Sequence, residues 1–211
     1  MKPALLVLDM IVDFTSGRLG SAQARAIRPA IAKLLSQARL EKIPVFYCQE
    51  AHLPHDPELK VWGRHGMFGT RGARIDPALN PKPGEPVIPK HTFGAFYGTD
   101  LQDQLKARQI DTLILTGVCT DICVQHTAGE AFFRGYRVIV VHEATAALTS
   151  EDHDRGLRYM ARTYGTQITD LSSILRKLTL ASLRAPKGRS NPDLKARWLR
   201  HPPEIVVDSS Q

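Results

Sequence analysis

The sequence predicts an α/β domain, built on an open, mostly parallel, Rossmann-like sheet of about six strands with helices on both faces. Three observations carry this. Short continuous apolar runs, residues 4–8 first among them, have the composition of strands buried on both faces in a parallel sheet. The runs alternate with segments of amphipathic helical spacing, the order that gives right-handed crossovers. Ionisable residues stand directly after the runs, where ligands gather in open α/β sheets.

The elements follow in order. Residues 4–8 form the first strand and end in Asp9, with Asp13 and Phe14 in the next turn. Residues 21–40 read as one amphipathic helix, with Ala26, Ala30, Leu34 and Ala38 on a common face. Residues 44–49 are the second strand, followed by Glu50 and His52. A long irregular stretch rich in Gly and Pro, residues 53–89, holds His55, Trp62, His65 and Gly69-Thr-Arg-Gly72. Loops of that length inside a domain tend to be functional. Residues 86–90 form a short strand that delivers Lys90, and an aromatic loop, 93–100, leads into a helix over 101–108. The β-favouring run 113–115 stops at Thr116-Gly117, which marks a turn, and helical spacing resumes from Cys123 to Phe133 with Thr120 or Asp121 available as N-cap. A strand over 135–141, a helix over 150–163, an edge strand over 167–169 and a helix over 171–180 complete the domain.

Composition narrows the class. The 211 residues fit one domain over 1–180 with a basic extension over 181–211, and a hydrophobic fraction of 43% supplies a sizeable core. No apolar run approaches the roughly 18 residues of a membrane span. The N-terminal apolar stretch meets Asp9 too early for a secretory signal, so a cytoplasmic protein is expected. Cys48, Cys119 and Cys123 are an odd number without C-x-x-C spacing, which suits a reduced compartment. The net charge is +7. From residue 182 on, six Lys/Arg stand against Asp193, Glu204 and Asp208, so this end supplies +3. No nucleic-acid reading motif accompanies it. A solvated terminus, or packing on a partner subunit through Trp198 and Leu199, is the better expectation.

The chemistry centres on Cys123. A cysteine in the first turn of a helix feels the positive end of the dipole, which favours the thiolate. The same turn exposes amides able to cradle an oxyanion. Asp9, Lys90 and Cys123 all follow separate strands, and a nucleophilic thiol needs a proton acceptor and a cation. No G-x-S-x-G elbow is present. With eight histidines in the chain, a cysteine–histidine arrangement remains open on spacing alone.

Certain of these residues resemble a known family, the isochorismatase-like cysteine hydrolases, and within it the nicotinamidases. The carrying residues are Leu8-Asp9-Met10 with Asp13-Phe14, then Lys90 followed by Phe93-Gly-Ala-Phe96. Thr116-Gly-Val-Cys-Thr-Asp-Ile-Cys-Val124 completes the set. The resemblance covers residues 3–178. It implies a catalytic triad of Asp9, Lys90 and Cys123, a cis peptide between Val118 and Cys119, and an oxyanion hole from the amides of Cys119 and Cys123. It also implies a divalent metal, zinc with iron or manganese as alternatives, held by Glu50, His52 and His65. Glutamate stands there where the family usually has aspartate, and its extra methylene changes the reach. Phe14, Trp62 and Phe93 would wall a pocket for a flat ring, with His55 and His91 as bystanders. The implied reaction is hydrolysis of nicotinamide, and a dimer or tetramer is implied as the assembly. A sister amidase acting on carbamoyl or maleamate-type substrates is the first alternative. A non-catalytic oligomeric or nucleic-acid-binding module using the basic tail is the second. Isochorismate vinyl-ether hydrolysis is weaker, because members specialised for it generally lack the catalytic cysteine.

Overall fold

In a computed structural model that describes residues 1–184, six strands form one all-parallel sheet. They are β1 (Pro3–Leu8), β2 (Val45–Glu50), β3 (Val87–Lys90), β4 (Thr112–Val118), β5 (Arg137–Ala146) and β6 (Gln167–Thr169), in the order β3-β2-β1-β4-β5-β6. The α-helices are α1 (Val12–Thr15), α2 (Ala22–Ala26), α3 (Arg28–Leu40), α4 (Leu59–Trp62), α5 (Leu101–Ala107), α6 (Gln125–Phe133), α7 (Ser150–Tyr164) and α8 (Leu171–Arg184). Strand β1 shows why its run is apolar throughout. Leu5 and Val7 join the core beneath α2, α3 and α8, while Ala4, Leu6 and Leu8 join the core beneath α5, α6 and α7. The basic extension lies, from residue 185 on, outside the described residues. No helix among the described residues is long and apolar enough to cross a membrane.

The chain builds β1, β2 and β3 outward on one side, then returns to lay β4 on the other side of β1. That reversal opens a crevice at the carboxyl ends of β1 and β4, the place where open α/β sheets bind ligands.

Three local expectations are corrected. The single helix over 21–40 is two, α2 and α3, meeting at Ile27. The Ser21 side chain caps the first, and Pro29 sits in the first turn of the second, where its missing N–H costs nothing. Strand β4 does not stop at Thr116-Gly117 but runs on to Val118. Gly117 has φ +109, and a Cβ there would collide with the carbonyl of Leu8, so the glycine serves a close approach of β4 to β1 rather than a turn. Neither Thr120 nor Asp121 caps the helix after β4. A π-helical turn, Thr120–Val124, precedes α6, its N-cap is Cys119, and no side chain caps it.

Candidate active site

Asp9 directly follows β1, Glu50 and Lys90 end β2 and β3, and the turn after β4 brings Cys123 to the same crevice. Asp9 adopts φ +52, a left-handed conformation in which aspartate is enriched, and this turns the chain out of the sheet. Its carboxylate is fully buried. Oδ1 accepts from the Glu50 amide at 2.7 Å, and Oδ2 lies 2.8 Å from Lys90 Nζ. Lys90 Nζ also donates to the Thr92 carbonyl at 3.0 Å and lies 3.6 Å from Glu50 Oε1. The Cys123 thiol is buried and donates to Glu50 Oε1 at 3.6 Å, with acceptor atoms of Asp9, Glu50 and Cys123 all within 4.8 Å of one another. The Val118–Cys119 peptide is cis.

The electrostatics differ from the sequence expectation for the thiol. Burial holds Cys123 well above the ordinary thiol range, and the carboxylates of Asp9 and Glu50 add to it against the opposing charge of Lys90. Any helix dipole is outweighed, so the resting group is a thiol that needs a base. Burial pushes Asp9 up to about 6, against the pull of Lys90, which makes it a carboxylate near neutrality with appreciable basicity. Burial alone would lower Lys90, but Asp9 first, then Cys123 and Glu50, hold its ammonium charged.

A second buried cluster adjoins the first. Glu50 Oε2 faces His65 Nε2 at 3.1 Å and His52 Nε2 at 3.4 Å, and Glu58 Oε2 lies 3.5 Å from His52 Nε2. The outer nitrogens fix the tautomers. His65 Nδ1 donates to the Gly63 carbonyl at 2.7 Å, and His52 Nδ1 faces Asp56 Oδ2 at 3.0 Å. Both Nε2 lone pairs of the neutral imidazoles therefore point inward at carboxylate oxygens, acceptor against acceptor. Glu50 Oε2, His52 Nε2 and Glu58 Oε2 are buried without a hydrogen-bond partner. Such a set is satisfied by protonating the imidazoles or by a cation among its four donor residues, whose ligand atoms lie within 4.8 Å of one another. The residues thus fit a divalent metal. Burial pushes the Glu58 carboxyl up to about 7, with Glu50 adding to it. Burial would also raise Glu50, but Lys90 and, when they are protonated, the two imidazoles hold it well below the carboxylate range.

The long loop is pinned so that His65 meets β2. The His52 amide donates to Gly66 O and the Phe68 amide to His52 O. Asp13 Oδ2 accepts the Gly66 amide at 2.8 Å. A Cβ on Gly72 would collide with the same Asp13 carboxylate, which accounts for the second glycine of Gly69-Thr-Arg-Gly72. The Phe93 loop is held likewise, the Ala95 amide donating to Thr127 Oγ1 and the Phe96 amide to Glu130 Oε2.

Between the two clusters and the surface lies a cavity of about 110 Å³, lined by Phe14, Trp62, Phe93, Val118, Ile122 and Leu148 together with Glu50, His65, Cys119 and Cys123. Phe14 packs on His65 with ring centroids 5.6 Å apart, Phe93 packs on His126 at 5.3 Å, and Trp62 stands at the rim. No arginine or lysine is among the described lining residues. Asp9, Lys90 and Cys123, the three expected ligands Glu50, His52 and His65, and the three expected ring-wall residues are thus brought together. His55 is exposed and stands apart, while His91 is half-buried beside Asp56. Sequence reasoning missed Glu58 and Asp56. Both are acids in a Pro-rich loop with the look of ordinary solvated residues, and only the spacing of Glu58 ahead of Trp62-x-x-His65 hints otherwise. It also missed that Glu50 touches the thiol.

Comparison with known proteins agrees with this architecture. A family model described as the isochorismatase domain matches residues 3–173. The chain is 34% identical over 183 residues to the uncharacterized isochorismatase family protein PncA of Bacillus subtilis, covering 81% of this chain and all of that one. Among solved structures it is similar to N-carbamoylsarcosine amidase from Thermoplasma acidophilum, with TM-score 0.76 and 40% identity over 81% of this chain and 97% of that one. It is also similar to nicotinamidase PncA from Bacillus subtilis, with TM-score 0.75 and 30% identity over 81% of this chain and all of that one.

Proposed function

The chain belongs to the isochorismatase family, and within it we propose that it is a cysteine amidohydrolase converting nicotinamide to nicotinate and ammonia. The observation that carries this is a cavity lined by Cys123, Glu50 and His65, with the buried Asp9–Lys90 pair behind the thiol and Glu50 and His65 belonging to a two-histidine, two-carboxylate cluster. The relatives point to more than one acyl group, since the amidase from Thermoplasma acidophilum is named for N-carbamoylsarcosine. That substrate, like maleamate, bears a carboxylate, which when buried needs a cationic partner. Among the described residues this cavity is lined by aromatic and aliphatic groups together with Ser21, Glu50, His65 and the two thiols, and by no arginine or lysine. Its volume of about 110 Å³ is on the scale of cavities that take a single aromatic ring. A neutral ring amide fits that chemistry better than an acid.

In the proposed reaction Asp9 takes the thiol proton and Lys90 stabilises the thiolate. Cys123 Sγ attacks the carboxamide carbon, and the oxyanion is received by the amides of Cys119 and Cys123. Protonated Asp9 gives its proton to the departing ammonia, leaving a thioester. Asp9 then draws a proton from water as that water attacks the thioester, and nicotinate leaves as the thiol reforms. Glu50, His52, Glu58 and His65 would hold a divalent cation, zinc ahead of iron or manganese, which when bound supplies a Lewis acid for a pyridine-type nitrogen. Phe14, Trp62 and Phe93 sandwich and orient the ring. The decisive test is ammonia release from nicotinamide by the purified full chain beside Cys123→Ala. Turnover that disappears in the folded variant supports the reading. Hydrolysis of N-carbamoylsarcosine with none of nicotinamide would overturn the substrate, and activity retained by Cys123→Ala would overturn the mechanism.

A further inference from the structure

The turn that carries Cys123 is held by a helix that contributes nothing to the cavity lining. Side chains cap the first turns of α2 and α7, where Ser21 accepts from the Ala24 amide and Thr149 from the Asp152 amide. The nucleophile turn has no such cap. Among the described residues its N-terminal closure runs through the Cys119 carbonyl, which takes both the Ile122 and Val124 amides at 3.1 Å. A π-helical turn is a rare conformation that is frequent at functional sites, and something must specify it. Thr120, fully buried, directs its hydroxyl away from the turn to His153 Nδ1 on α7 at 2.7 Å. Three residues further along α7, Gly156 lets the helix backbone meet the turn: a Cβ there would stand 2.9 Å from Asp121 Cα. Helix α7 therefore grips the turn at both of the residues the sequence offers as caps, by a hydrogen bond at Thr120 and by close packing at Asp121.

We propose that His153 is a positioning residue for the nucleophile, fixing through Thr120 where the Cys123 thiol stands relative to Asp9 and the cavity. This rests on the reading of Cys123 as the nucleophile. The leverage is geometric, because reacting atoms must approach to about 3–3.5 Å and a displacement of about 1 Å costs on the order of a hundredfold in rate.

The test uses Thr120→Val, Thr120→Ser, His153→Phe and the Thr120→Val/His153→Phe pair in the full chain. Thr120→Val and His153→Phe should each lower kcat for nicotinamide about 10- to 100-fold with KM within about twofold. Thr120→Ser, which keeps the hydroxyl, should match the wild type, and the pair should lose no more than either single variant. The rate of Cys123 alkylation by iodoacetamide, followed by mass spectrometry, should fall in the same order. Alkylation in that order from a wild type that does not hydrolyse nicotinamide would sink the proposed substrate and leave the positioning role standing. Thr120→Val with wild-type kcat and alkylation, or losses that add in the pair, would overturn it. Should His153→Phe fail to fold, the Thr120→Val and Thr120→Ser comparison decides alone.

Discussion

Replacing Lys90 by methionine removes the one cation that stands between two buried carboxylates. The ammonium is 2.8 Å from Asp9 Oδ2 and 3.6 Å from Glu50 Oε1, and all three side chains are at most 2% exposed. Removing one partner of a buried pair costs about 3–5 kcal/mol, because the remaining charge has neither water nor a counter-ion. Against a total stability of roughly 5–15 kcal/mol this is a large fraction. At about 2–4 °C per kcal/mol for a chain of this size, the melting temperature should fall by about 6–20 °C. The effect has a sign in pH. Burial already pushes Asp9 up to about 6 with Lys90 present, and without the ammonium the carboxyl goes higher. A folded-state pKa above the unfolded value of 3.8 means that the folded chain holds the proton more tightly. The deficit of Lys90→Met should therefore shrink as pH falls from 8 toward about 5. Adding Asp9→Asn should recover about half of the loss at pH 8, since the charge goes with its partner. Calorimetry of the four proteins across that range checks both statements. A Lys90→Met protein that melts with the wild type, or a double variant whose loss is the sum of the singles, would refute the account of the buried pair.

Three further outcomes are expected. In the proposed reaction the Asp9 carboxylate accepts the thiol proton, so kcat/KM for ammonia release should fall as pH drops below about 6, where that group protonates; a profile flat down to pH 4.5, roughly one and a half units lower, would remove Asp9 as the base. Glu58→Gln deletes a buried charge with no hydrogen-bond partner at Oε2 and should weaken zinc retention by at least about tenfold, read by elemental analysis after dialysis against a graded chelator, and unchanged zinc content would take Glu58 out of the cluster. Gly72→Ala drives a Cβ into the Asp13 carboxylate that holds the Gly66 amide, so urea denaturation should show a loss of about 1–3 kcal/mol, and wild-type stability would contradict the pinning of the loop.

Much of the fold could be read because its signals are local. The run that becomes β1 is apolar at every position, and burial on both faces leaves no other arrangement for it. Lys90 was placed by the short strand it ends, and Cys123 by the break in pattern before α6. What escaped was non-local. Gly117 looks like a turn glycine until the Leu8 carbonyl of the neighbouring strand is set against it. Thr120 has the composition of a cap, yet its hydroxyl is taken by a residue 33 positions away in the chain. Glu58 gives no periodic signal, and its burial depends on how the long loop folds back over β2. The thiol departs from its expected acidity for the same reason. Position in a first turn is local information, whereas desolvation and two carboxylates arriving from β1 and β2 are not.

The placement of Glu50 gives the two clusters a common member. Its amide is held by Asp9 Oδ1, which fixes the backbone at the end of β2. From there one oxygen reaches the thiol and the ammonium, and the other reaches the two imidazoles. An aspartate on the same backbone would be shorter by one carbon–carbon bond, about 1.5 Å, and could not span both sides at these distances. The glutamate is therefore not a neutral exchange of one ligand acid for another. Its charge is one of two carboxylates that hold Cys123 as a thiol. A cation bound at the far oxygen would offset that charge and leave Lys90 less opposed at the sulfur, shifting the balance toward thiolate. Occupancy of the histidine cluster and reactivity of the cysteine would then be linked through a single side chain, with no movement of the backbone required.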